Sequence, residues 1–117
     1  MITIRKKANE RSTYVINMTF TDEEGESAVP TAIKWTLCNA DSTPINDREQ
    51  VEILVPASEV DVVLSGDDLQ ILEAEEDSET VDRYFVVESV YNSTLGTGLP
   101  LNEVAKFELT NFLYIGE

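Results

Sequence analysis

The chain has 117 residues, 42% of them hydrophobic against 26% charged, which suits one domain with one core and argues against global disorder. Its 23 acidic and 8 basic residues give a formal net charge of −15, so the surface repels nucleic acid and anionic lipid, and direct binding to either is not expected. No apolar run approaches the roughly 20 residues that cross a bilayer, the start lacks the basic-then-apolar order of a signal peptide, and a single cysteine, Cys38, can form no intramolecular disulfide.

Residues 2–5 alternate briefly and predict an edge strand. Arg5, Lys6, Lys7 and Arg11 place half of the positive charge in residues 1–11, a basic arm able to face an acidic neighbour such as a second copy of the chain. Residues 13–21 carry the cleanest period-two pattern, with Tyr14, Ile16, Met18 and Phe20 on one face and Asn17, Thr19 and Thr21 on the other. A central strand is expected there. Gly25 suits a turn, and Pro30 marks the entry to the next strand.

In residues 32–39, Ile33, Trp35 and Leu37 share a face opposite Lys34, Thr36 and Cys38. Trp35 is the only tryptophan, and an indole buries roughly 150–250 Å², so it is the expected core pin. Residues 50–55 read as a strand stopped by Pro56, and Val60, Val62 and Leu64 line another. Ser65-Gly66-Asp67-Asp68-Leu69 predicts a one-turn crossover whose carboxylates accept backbone N–H bonds while Leu69 turns inward. Residues 73–82 read as an acidic loop or hairpin tip.

Residues 83–91 form the second long strand. Burying Glu88 would be costly, which sets Phe85, Val87, Ser89 and Tyr91 inward and Tyr84, Val86, Glu88 and Val90 outward. That outer face is too apolar to be merely wet and calls for cover by a loop, a subunit or a partner. Residues 92–100 read as a loop, and Leu101, Ala105, Phe107 and Leu109 line a last strand. The apolar tail, residues 111–117 with Leu113 and Ile115, must pair along the sheet or be handed to a partner.

About seven short strands, turn signals every 8–12 residues and no helix predict an all-β fold, a single immunoglobulin-like β-sandwich over residues 1–117 without a disulfide. Its expected core is Trp35, Ile33, Leu37, Phe20, Phe85, Val87 and Phe107. The chain has no histidine, so Ser-His-Asp and Cys-His nucleophiles are unavailable and no enzymatic activity is expected. Glu23 and Glu24, Asp67 and Asp68, and Glu75, Glu76 and Asp77 offer oxygen ligands, but none has the spacing of a one-loop calcium site. They read as solvated acidic loops, with no metal or cofactor expected.

The runs Ile33-Lys34-Trp35-Thr36-Leu37, Ser65-Gly66-Asp67-Asp68-Leu69, Arg83-Tyr84 leading to Val87-Glu88-Ser89-Val90-Tyr91, and Leu95-Gly96 with Leu99-Pro100-Leu101 resemble small immunoglobulin-like proteins encoded among tailed-bacteriophage virion genes. The resemblance spans roughly residues 30–110. It implies a non-enzymatic capsid decoration, neck or tail component, assembled in the host cytoplasm and present in the virion in many copies. Its partners would be other virion proteins and copies of itself, met through Arg5, Lys6, Lys7, Tyr84, Val86, Val90, Leu113 and Ile115. The alternative is a surface adhesion module that binds carbohydrate or protein through its loops.

Overall fold

Alternation of large apolar and polar side chains decides the long strands. The computed structural model describes residues 1–111, and within them the strands are β1 (Ile2–Thr3), β2 (Ala8–Asn9), β3 (Thr13–Thr19), β4 (Ala32–Cys38), β5 (Val51–Glu52), β6 (Glu59–Ser65), β7 (Thr80–Ser93) and β8 (Gly96–Thr110). They form two sheets. The larger has the order β1-β8-β7-β4-β5, with β2 also against β8, and the smaller pairs β3 with β6. β3 and β6, the first and third of the five long strands, thus face the sheet that holds the other three, β4, β7 and β8, as a β-sandwich.

The sheets face each other through their alternating inner positions. Tyr14, Ile16 and Met18 of β3 and Val62 and Leu64 of β6 meet Ile33, Trp35 and Leu37 of β4, Phe85 and Val87 of β7, and Phe107 and Leu109 of β8. Phe20 is buried just past β3. Two aromatic pairs bridge or brace this layer, Tyr14 on Phe107 at 4.8 Å between centroids and Trp35 on Phe85 at 5.2 Å. Between β6 and the next segment, the 3-10 helix Gly66–Leu69 buries Leu69 completely, and the Asp68 carboxylate accepts the Ser65 amide at 3.2 Å.

Five sequence expectations change. Residues 13–21, expected as a central strand, form β3, which among the described residues pairs only with β6. Residues 50–55 form a strand only over Val51–Glu52; Ile53 still donates its amide to the Ile33 carbonyl at 2.9 Å, and Leu54 and Val55 beyond it are exposed. Residues 92–100 are not a loop: β7 runs to Ser93 and β8 starts at Gly96, joined by a turn at Thr94 and Leu95. The Asn92 side chain accepts the Gly98 amide at 2.8 Å, and Gly98 adopts φ +63°, which a side chain would strain. Residues 73–82 contain a second 3-10 helix, Glu73–Glu75, and the first residues of β7. The basic arm is also no free arm. β1 and β2 both run parallel to β8, and the Tyr14 hydroxyl donates to the Lys6 carbonyl at 2.6 Å, so the backbone on either side of Arg5, Lys6 and Lys7 is fastened to the sheet.

Candidate functional site

Three surfaces collect the residues that sequence reasoning singled out or missed. The first is the outer face of the larger sheet. Tyr84, Val86 and Val90 are half-buried there, each between cross-strand neighbours: Tyr84 between Cys38 and Lys106, Val86 between Thr36 and Val104, Val90 between Ala32 and Pro100. Glu88 sits between Lys34 and Asn102, and Lys34 has Glu52 on its other side, so charge alternates across the strands. A shallow depression of about 380 Å³ lies over Ala32, Lys34, Glu88, Val90, Pro100 and Asn102. The apolar outer positions are thus partly covered by strand neighbours within the sheet.

Arg5, Lys6 and Lys7 form the second surface, exposed on the β8 edge between the two short parallel ladders. Tyr84 and Val90 lie on β7 and pair with β4 and β8, apart from these basic residues, and Leu113 and Ile115 lie outside the described residues.

The third surface was not foreseen. A groove of about 330 Å³ opens between the sheets, walled by Ile2, Ile4, Leu101 and Ala105 on one side and by the consecutive residues from Ile16 to Thr21 on the other, with Phe85 and Val87 at its floor. Consecutive residues line it because the edge of β3 itself faces it. Phe20 donates its amide to Ser58 at 2.8 Å and Gly66 donates to Ser12 at 3.2 Å, which fixes the even-numbered residues of β3 as those bonded to β6. Val15, Asn17 and Thr19 therefore turn their N–H and C=O groups away from β6, with Asn17 and Thr19 lining the groove, and among the described residues no strand pairs with that edge. The sequence signal was available in part: a smaller sheet of only two strands leaves outer edges, but the strand pattern does not say which strands share a sheet.

The acidic residues have structural partners. Glu75 forms a two-pronged pair with fully buried Arg83, at 2.8 and 2.6 Å, and the hydrogen bond from Arg83 holds its carboxyl below the ordinary range. Burial opposes ionisation of Asp68, yet hydrogen bonds from Arg48 at 2.8 Å, Asn46 at 2.9 Å and the Ser65 amide outweigh it, and this carboxyl too is held low. Asp67 pairs with Arg11 at 2.8 Å, and Glu23 accepts from Tyr91 and Ser93. The expectation of solvated acidic loops is thus corrected for Asp68, which is buried, and Glu75, which is half-buried, both with their charge matched. Among the described residues, no group of three or more His, Cys, Asp or Glu is arranged to hold a metal ion.

Asp68→Asn is expected to weaken the crossover in a pH-dependent way. A carboxyl with a lowered folded pKa contributes stability above its unfolded value near 3.9, and loses that contribution as pH falls through the folded value. In urea unfolding, the gap between the original chain and the variant should be widest at pH 7 and shrink as the pH is lowered below about 4. A gap that does not change with pH would contradict the assigned role of Asp68.

No protein family, no curated protein and no solved structure matches this chain.

Proposed function

We propose that this chain is a non-enzymatic structural or accessory protein of a tailed-bacteriophage virion, a capsid decoration, neck or tail component that works through repeated protein–protein contacts. The observation that carries the reading is the edge of β3, unpaired among the described residues, beside an apolar groove. A strand edge with free N–H and C=O groups next to apolar side chains is a template for another chain, and proteins that must stay monomeric blunt such edges with charge, proline or cover. Here Val15, Asn17 and Thr19 are neither charged nor proline, and among the described residues no strand covers them.

The placement of the residues behind the resemblance supports the same reading. Trp35 and Phe85 fill the core, and Asp68 and Leu69 close the crossover, so the shared runs build a scaffold rather than a pocket. What remains for function is the edges and faces. Exposed Arg5, Lys6 and Lys7 on a chain of net charge −15 also suit contact with an acidic neighbour. Mass spectrometry of purified particles from the source tests the proposal. Stoichiometric presence of the chain supports it, with copy number choosing among decoration, neck and tail; absence from particles overturns it.

A further inference from the structure

We infer that residues 112–115 of one copy add as a strand to the open edge of β3 in a neighbouring copy, placing their apolar side chains in the groove between the sheets. The inference rests on the multi-copy reading above and names its contact.

The acceptor is defined by geometry. Val15, Asn17 and Thr19 present backbone donors and acceptors along one line, and Ile4, Ile16, Met18, Leu101 and Ala105 present apolar walls beside it. Strand addition uses this combination, main-chain bonds for affinity and a lined groove for the alternate side chains. The donor is defined by sequence. Phe112, Leu113, Tyr114 and Ile115 are apolar or aromatic on both faces of an extended strand, as a segment entering between two sheets must be.

Reach excludes the chain's own groove. Ala105, at the groove's near end, is six residues back from Asn111, about 20 Å along β8 at roughly 3.3 Å per residue. Four residues, 112–115, extend at most about 14 Å from Asn111 even with no turn. Another copy meets no such limit.

Charge selects the same site. A chain of net charge −15 resists its own copies, yet the sequence from Thr110 to Gly116 is uncharged. Glu103 is the one charged residue in the groove lining, and it lies 3.9 Å from the amino group of Met1. Docking here sets one uncharged stretch, residues 110–116, against another, residues 12–21. Because donor and acceptor are different surfaces, the contact is heterologous and repeats into a ring or an open filament.

Complementation tests this with full-length chains. Thr19→Pro removes an edge N–H that β6 does not use and blocks the acceptor; Leu113→Asp with Ile115→Asp spoils the donor. In sedimentation velocity the original chain should form species larger than a dimer, each variant should run as a monomer, and their equimolar mixture should form a one-to-one dimer and nothing larger. A monomeric mixture, continued assembly by either variant, or a monomeric original chain at all concentrations overturns the inference. A measurement on the unaltered chain stands apart from any folding defect in the variants: the peptide Thr-Asn-Phe-Leu-Tyr-Ile-Gly-Glu, residues 110–117, should slow hydrogen exchange at Val15, Asn17 and Thr19, and no change there overturns the inference. Presence in particles together with a monomeric mixture would remove this contact and leave the virion reading standing. A dimeric mixture with absence from particles would do the reverse.

Discussion

Arg83→Met should cost about 3–5 kcal/mol of folding stability, because it removes one partner of a buried ion pair and leaves the other. Arg83 is fully buried on the inner face of β7, where its guanidinium donates twice to Glu75 and once each to the carbonyls of Gln70 and Asp82. Methionine fills much of the volume but supplies no donor, so a carboxylate and two carbonyls lose their bonds together. The pair as a whole is a different matter. Its Nε has no partner, and two desolvated charges offset much of their own attraction, so Arg83→Met combined with Glu75→Leu should recover most of the loss. Urea unfolding at pH 7 measures both. A single-variant loss under about 1 kcal/mol would contradict the claim that this pair fastens the 3-10 helix Glu73–Glu75 to the larger sheet.

Trp35→Ala carries the second large effect, about 3–5 kcal/mol from lost burial and the cavity left behind. The indole is stacked on Phe85 and has Val51 of β5 and Val87 of β7 as its cross-strand neighbours, so no flexible element stands ready to collapse into the space. Equilibrium denaturation should show it directly. A loss under about 1 kcal/mol would mean that the indole contributes little and that the register of β4 against β7 is wrong.

How much of this was legible from residues alone depends on how local the cause is. β3, β4, β6 and the inner face of β7 follow from period-two alternation, and the buried positions of Ile33, Trp35, Leu37, Phe20, Phe85, Val87 and Phe107 follow with them. Arg83 did not. It stands two residues before Phe85 and so shares its face, but a charged side chain reads as a surface residue until its partner is known, and that partner lies eight residues upstream in an apparent acidic loop. The hairpin from Ser93 to Gly96 was hidden for a related reason. Gly96, Gly98 and Pro100 speak for a loop, yet pairing with residues up to Tyr91 and Ser93 holds them in β8, at a part of its edge where β1 does not reach.

The open edge of β3 was beyond such reasoning, because it depends on which sheet each strand joins. Alternation shows that residues 13–19 bury one face, but the central strand expected there is not found: β3 pairs only with β6 among the described residues and so forms an edge. Among the described residues the smaller sheet ends at β3 because β1 and β2 pair with β8 instead, a choice made by contacts more than 90 residues apart in sequence. The same choice ties down the basic arm and opens the groove. One topological fact thus changes the reading of both the N-terminal residues and the contact surface.

Amide hydrogen exchange on the unaltered chain, at a concentration low enough to keep it monomeric, tests the open edge most directly. The account predicts alternation along β3: slow exchange at Ile16 and Met18, whose N–H groups point to β6, and fast exchange at Val15, Asn17 and Thr19, whose N–H groups point away from it. Uniform protection of all five in the monomer would mean that the edge is already covered, and would contradict it.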